Sequence, residues 1–466
     1  MKFSHCRPHV LAIATLLAVT AAAPAMAGQV YLNNLSPTGH YNRFIVQYRP
    51  GSEPTQAPQP LKASLDAAAG NVALPTALRQ RLGLKPLRAM AVRGARVVAT
   101  DAALDRSQTE TLMRRIAADP NVEYVQVDGV QRVLSTPNDP QLAKQWHYAD
   151  DAFGIRAPTA WNTATGRGIV VAVIDSGVYA SHPDLAPNLL PGYDFVSSVK
   201  GYDDCLALMH TSGCGGSADG DGRDSNPEDS SKVGHGTHVA GTVAAVGNNG
   251  LGGLGVAYEA KILPLRVSGT DGMNTDSDTI DAIVWASGGA VSGVPANPNR
   301  ADVINLSVGA TGLCSDSPAY QAAINQAVAN GTVVIAAGGN SDNDAATFTP
   351  ASCNNVVSVG STDQKGVKAS SSAWNVTLSA PGVSVLSTVD SNKYGTKSGT
   401  SMASPHVAGV AALIQSAAPA KLSPAKVVEI LKSTARPISA KNCAKGCGAG
   451  IIDAAAAVEA ARKVTP

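Results

Sequence analysis

The sequence predicts an α/β fold built on a parallel sheet, preceded by a smaller α+β unit. Three observations carry this. Short, continuous apolar runs recur at 169–174, 261–267, 303–306, 333–337 and 356–359. Stretches of helical pattern lie between or beside them, at 235–246, 278–288, 318–330 and 403–417. Before residue 138 the pattern differs, and the run that starts at Asn121 alternates apolar with polar residues. Continuously apolar strands are buried on both faces, and strands that alternate with helices form parallel sheets covered on each side. Functional groups in such sheets gather outside the carboxyl ends of the strands.

In chain order, Lys2 and Arg7 precede an apolar run at 10–23, followed by Ala25-Met26-Ala27. A basic start, a short apolar stretch and a small-x-small site read as an export signal cut after Ala27. The run is too short for the roughly 20 residues that span a bilayer. Residues 28–135 form the α+β unit, with strands at 43–48, 96–99 and 121–125, a proline-rich loop at 50–60 and a helix at 107–118. Residues 130–137 read as an exposed linker. The α/β domain occupies 136–466, and its Asp- and Gly-rich stretch 197–232 reads as an insertion.

Composition narrows the function classes. The chain is 44% hydrophobic and 15% charged, which excludes a disordered chain. With a net charge of +1 there is no basic excess to bind nucleic acid. The charge is unevenly divided. Residues 28–135 carry 13 basic and 8 acidic groups, and residues 136–466 carry 21 basic and 27 acidic groups. Opposite signs favour attraction between the two regions. Of seven cysteines, Cys6 lies in the signal. An even six in an exported chain reads as disulfides. Proximity favours Cys205–Cys214, Cys314–Cys353 and Cys443–Cys447, and no Cys/His group has the spacing of a zinc site.

Three segments carry chemistry. The strand at 169–174 runs into Asp175-Ser176-Gly177, a carboxylate where an orienting group could sit. Gly234-His235-Gly236-Thr237-His238 opens a helix; no Glu follows His235, so the zinc-binding HExxH pattern is absent and His238 reads as structural. Ser398-Gly399-Thr400-Ser401 places a serine at the start of an apolar helix, where unpaired N–H groups and the positive dipole end favour an oxyanion. The GxSxG elbow of α/β-hydrolase esterases is absent. Read singly, Asp175 could be a turn former and Ser401 a cap.

Together, VIDSGV (173–178), GHGTHVAGT (234–242) and GTSMASPHVAG (399–409) closely resemble the corresponding segments of the subtilisin-like serine peptidases, family S8. The likeness covers about 138–460, and ADPNVEYVQVD (118–128) resembles the family's inhibitory propeptide. The resemblance implies a three-layer α/β sandwich with a left-handed crossover. It implies a secreted serine endopeptidase made as a self-processed precursor, with Ser401 as nucleophile, His235 as base, Asp175 as its orienting carboxylate and Asn340 as oxyanion donor. A protein or peptide substrate would lie as an added strand along Gly272-Met273-Asn274 and Ser307-Val308-Gly309. Ala337, Gly338 and Gly339 would wall the primary pocket, small enough to leave room for a bulky side chain.

The resemblance also implies structural calcium. Asp139 and Asp184 match its carboxylate ligands, with the loop 246–253 adding the Asn249 side chain and carbonyls such as those of Val246, Leu251 and Gly253. Independently of the resemblance, the alternation of acidic residues with glycine at 219–224 suggests a second site at Asp219, Asp221 and Asp224. The propeptide would act as an intramolecular inhibitor, and the mature protein is expected to be a monomer with no membrane or nucleic-acid partner. The competing reading is a catalytically silent binding protein on the same fold, which loss of any catalytic residue would have favoured.

Overall fold

Apolar alternation within each strand divides the core of the larger unit into two layers, one on each face of a central sheet. The computed structural model describes residues 27–32, 35, 39–70, 82–129, 137–201, 215–217, 219–229 and 234–465. The expected signal, nearly all of the 130–137 linker and the Cys205–Cys214 pair lie outside the described residues. Two compact units make up the chain, Met1–Arg132 and Val133–Pro466.

The first unit has a five-stranded sheet. Its strands are β1 (Gln29–Tyr31), β2 (Tyr41–Tyr48), β3 (Leu84–Ala89), β4 (Ala95–Leu104) and β5 (Val122–Val127), in the order β1-β5-β2-β4-β3. The helix Arg106–Ala117 starts at a capping box, in which Asp105 accepts from the Gln108 N–H and the Gln108 side chain accepts from the Asp105 N–H. The proline-rich segment expected as a loop is partly helical, at Glu53–Gln56 and Pro58–Gly70. Proline is tolerated in a first turn, where its missing N–H has no partner to lose. Leu61, Leu65 and Ala68 then form the buried stripe that holds the helix down.

In the second unit the main strands are β6 (Val170–Asp175), β7 (Tyr193–Asp194), β8 (Lys261–Arg266), β9 (Val303–Leu306), β11 (Val333–Ala337), β13 (Val356–Thr362) and β14 (Leu378–Pro381). Between them come the short β10 (Ala310–Thr311) and β12 (Phe348–Thr349). The seven strands pair in the order β14-β13-β11-β9-β6-β8-β7, every pair parallel. Val171 and Val173 face one layer, with Val239, Val243, Val407 and Val410 of the helices His235–Ala244 and Thr400–Ala417. Ala172 and Ile174 face the other, with Ile283 and Ile324 of the helices Asp276–Ala286 and Pro318–Ala329. This is the three-layer α/β sandwich.

Strand β6 is flanked by β8 on one side and β9 on the other, so chain direction across the sheet reverses there. A crevice forms at such a point outside the strands' carboxyl ends. The bonds Cys314–Cys353 and Cys443–Cys447 are present, with Cα–Cα distances of 5.0 and 6.1 Å. No helix among the described residues is long and apolar enough to cross a membrane.

Candidate active site

Asp175 is the last residue of β6 and is buried. Its Oδ1 accepts from the Ser176 N–H and from His235 Nδ1, both at 2.7 Å. That contact fixes the tautomer: Nδ1 carries the proton and Nε2 is left as a base. His235 is the first residue of its helix, and its side chain keeps 28% exposure. Burial opposes the imidazolium, but the charge and hydrogen bond of Asp175 outweigh it and raise the pKa above the ordinary 6.5. The two elements meet closely. A Cβ on Gly236 would lie 2.2 Å from the Gly177 carbonyl oxygen and 3.1 Å from Asp175 Cβ, so only glycine fits beside His235.

A second buried carboxylate, unforeseen from the sequence, braces this junction. Asp229 accepts from Ser176 Oγ at 3.3 Å and from Thr237 Oγ1 at 2.9 Å, and Ser176 Oγ accepts from the Gly236 N–H at 3.0 Å. Its charge lies at the positive end of the His235 helix. His238 is structural, as expected. Its Nε2 donates to the Val385 carbonyl at 2.9 Å, and burial presses its pKa down to about 3, so it stays neutral.

The helix carrying Ser401 begins at Thr400, three residues before the sequence pattern suggests, which sets Ser401 in the first turn. Pro405 sits inside this helix and has no N–H to offer the Ser401 carbonyl. Ser307 Oγ donates to that carbonyl instead, at 3.0 Å. Asn305 Nδ2 donates to Ser307 Oγ at 3.0 Å, and Ser404 Oγ donates to Asn305 Oδ1 at 2.6 Å. This buried chain ties the serine helix to the segment that follows β9. Among the described residues, the Ser401 hydroxyl donates to the Ser307 carbonyl at 3.3 Å rather than to His235.

Asn340 follows β11. Its Oδ1 accepts from the Thr400 N–H at 2.8 Å and from Thr400 Oγ1 at 3.0 Å. A backbone N–H can only donate, so the atom facing it is the amide oxygen, and Nδ2 is left as a donor with no acceptor among the described residues. Thr400 Oγ1 in turn accepts from the Gly339 N–H at 3.2 Å. Among the described residues the Ser401 N–H has no backbone acceptor, as expected in a first turn.

Ser401 and Asn340 line one cleft of about 200 Å³. Gly272, Asn274, Ser307, Val308, Gly309, Ala337 and Gly339 line it too, with Phe348 and Thr400, which the sequence reading missed. Met273 and Gly338 are not among the lining residues. The Met273 carbonyl accepts from Gly269, and the Gly338 N–H donates to Val359. No charged side chain lines the cleft.

The acidic residues separate into two groups. Asp139 and Asp184 are both buried. Asp139 Oδ2 accepts from the Asn248 N–H, while Oδ1 has no hydrogen-bond partner among the described residues. Asp184 accepts from Asn249 Nδ2 at 2.6 Å and Tyr394 OH at 3.0 Å, yet burial pushes its pKa up to about 6, with the charge of Asp139 adding to the rise. Asn249 turns its amide nitrogen to Asp184, and its oxygen accepts from the Leu251 N–H. Val246 donates its N–H to the Asp184 carbonyl.

In the second group Asp219 and Asp224 come together with Asp194, while the exposed Asp221 stands outside that trio but shares a side-chain hydrogen bond with Asp219. Asp194 was missed because its strand, β7, has only two residues. Burial drives its pKa up to about 7. The buried Arg266 lies 3.3 Å from Asp194 and 3.5 Å from Asp219, so a protein cation already occupies part of this cluster.

Comparison with known proteins gives a consistent result. The Subtilase family (peptidase S8) matches residues 166–450. An extracellular protease of Xanthomonas campestris pv. campestris is 46% identical over 477 residues, covering 97% of this chain and 78% of that protein. An extracellular basic protease of Dichelobacter nodosus is 38% identical over 455 residues, covering 90% and 70%. A solved structure of a protease from Pseudoalteromonas arctica PAMC 21717 is 48% identical with a TM-score of 0.62, covering 70% of this chain and all of that one.

Proposed function

The chain belongs to the subtilase family and is a serine endopeptidase, and from that premise we propose how its own groups cleave the bond and how it is produced. Ser401 Oγ attacks the peptide carbonyl while His235 Nε2 takes its proton. Asp175 holds the Nδ1 proton and stabilises the imidazolium that forms. The carbonyl oxygen becomes an oxyanion that accepts from Asn340 Nδ2 and the Ser401 N–H. His235 then gives the proton to the leaving amine, and an acyl group remains on Ser401. Water activated by His235 releases it.

One pairing carries this reading: a cleft holds Ser401 and Asn340, and the helix of Ser401 packs against that of His235, whose 2.7 Å contact with Asp175 leaves Nε2 as the base. Ser401→Ala tests it by abolishing peptide hydrolysis.

Production follows from the same chemistry. Residues 1–27 direct export, and the named relatives are extracellular proteases. Residues 28–135 act as an inhibitory propeptide that the enzyme removes from itself. Purified Ser401→Ala should therefore stay at precursor length, and a mature-length product with no other protease present would refute self-cleavage. The product is a monomer acting on protein or peptide substrates.

Calcium completes the proposal. The partnerless Asp139 Oδ1 and the buried Asp184 carboxyl fit a hard cation that takes oxygen ligands. Carbonyls of the loop 246–253 would add to them. The bound ion supplies the positive charge that lets both carboxylates stay ionised when buried. Excess chelator should speed autolysis, and Asp184→Ala should do the same with calcium present.

A further inference from the structure

We propose that the ring of Phe348 is the floor of the primary specificity pocket. It confines the residue before the cleaved bond to short, uncharged side chains such as Ala and Leu, and excludes Phe and Tyr. The inference rests on the peptidase reading of the cleft. The lining includes Gly309, Ala337 and Gly339, as small as the sequence suggests for pocket walls. Walls alone leave the space open to a large side chain. Phe348 is the one aromatic residue among those lining the cleft, and the bulkiest of them.

The ring sits against the wall. A Cβ placed on Gly309 would come within 2.6 Å of Phe348 Cε1, so the ring edge meets the Gly309 backbone directly. The ring is also held in place. Strands β10 and β12 pair antiparallel, Thr311 with Phe348 and Ala310 with Thr349, which binds the Phe348 backbone to the continuation of the wall. The Phe348 carbonyl accepts from the Ser352 N–H at 2.8 Å, and Thr349 Oγ1 donates to the Gly312 carbonyl at 3.0 Å. The Cys314–Cys353 bond closes the same segment onto β10's side. The ring packs on the buried layer that contains Leu306 and Ala336. A floor anchored on two strands and a disulfide does not swing aside for a larger guest.

Size and charge then set the choice. The cleft measures about 200 Å³ in all, and its lining includes Ser401 and Asn340, so the reacting carbonyl and the side chain before the cut must share that space. With no charged group in the lining, a Lys, Arg, Asp or Glu side chain entering it would lose its hydration without a partner.

The test measures kcat/KM on a peptide series varied only at the residue before the cut. The wild-type enzyme should favour Ala or Leu over Phe by about 10–200-fold, the range that pocket size can discriminate. Phe348→Gly should raise the Phe-to-Ala ratio by a similar factor, and Phe348→Leu, which keeps the packing, should raise it less. A wild-type enzyme that cleaves after Phe as well as after Ala or Leu overturns the proposal. So does a Phe348→Leu enzyme, or a folded Phe348→Gly enzyme, with an unchanged ratio. Fluorophosphonate titration of the same samples separates two failures. No labelling at Ser401 defeats the peptidase reading, whereas full labelling with the wrong selectivity defeats only the assignment of Phe348.

Discussion

Ser401, proposed to break the bond with His235 and Asp175, and the ring proposed to choose it line one cleft, yet two different kinds of structure hold the two sets of groups. Asp175 ends a strand of the central sheet, His235 opens a ten-residue helix, and Ser401 stands in the first turn of an 18-residue helix. Phe348 opens a two-residue strand paired to another of equal length. Bond chemistry loses rate when its groups move by about an ångström, so its residues sit on a central strand and on two helices packed together against one face of the sheet. Selectivity tolerates local change, and a short clamped segment can exchange its floor without disturbing the sheet. Substitutions in the first region should therefore cost rate on every substrate, and those in the second should change only the ranking of substrates.

The largest expected effect is that of Ser401→Ala. Removing the nucleophile should cost about 10⁶-fold in kcat, the size of the loss in subtilisin, and equally for every substrate. A loss that depends on the residue before the cut would blur the division between the regions. Asp175→Asn should cost about 10⁴-fold, since the wrong His235 tautomer is then favoured. This variant also alters the pH profile. His235 must be neutral to act, and Asp175 raises its pKa above 6.5. Wild-type kcat/KM should rise with pH through that raised value. In Asp175→Asn the residual activity should rise through a lower one, because the charge that favoured the imidazolium is gone. Stopped assays across pH 5–9 distinguish the two curves.

Asn340→Leu should lose about 10²–10³-fold in kcat with little change in KM, because its bond strengthens only as the oxyanion forms. The smallest kinetic effect should come from opening the clamp. Replacing Cys314 and Cys353 by Ser releases a 39-residue separation and should cost up to about 4 kcal/mol of stability in the chain-entropy treatment. Denaturant melts measure that loss. If Phe348 is held as described, the same variant should widen substrate choice while kcat on the best substrate changes only a few-fold. An unchanged ranking would detach the disulfide from selectivity.

The two regions also differ in how well the sequence reveals them. Asp175, His235 and Ser401 follow or open apolar runs whose period marks them as ends of buried elements, so their place at the carboxyl edge of a parallel sheet was legible. Thr400 and Ser307 were harder to foresee as supports. The need for Ser307 arises from the N–H that Pro405 lacks, and its partner lies 94 residues away. Phe348 gave no signal. The segment 341–353 has no period, and the antiparallel pairing with β10 and the bond to Cys314 determine where the ring lies. The acidic residues show the same limit. Asp219, Asp221 and Asp224 were expected together, and Asp221 does meet Asp219, but the fold also brings Asp194 from β7 into the group and sets Arg266 beside it. Local pattern marks the ends of long elements, and non-local closure decides what fills the space between them.

The central claim is that Ser401, made nucleophilic by His235 and Asp175, performs the chemistry in this cleft. Labelling the mature enzyme with a fluorophosphonate and mapping the adduct by peptide mass spectrometry tests it most directly. The account predicts one phosphonyl group per molecule, on Ser401, with loss of activity in proportion to labelling and slower labelling in Asp175→Asn. Full peptidase activity in a fully labelled sample, or an adduct on any other residue, would contradict it.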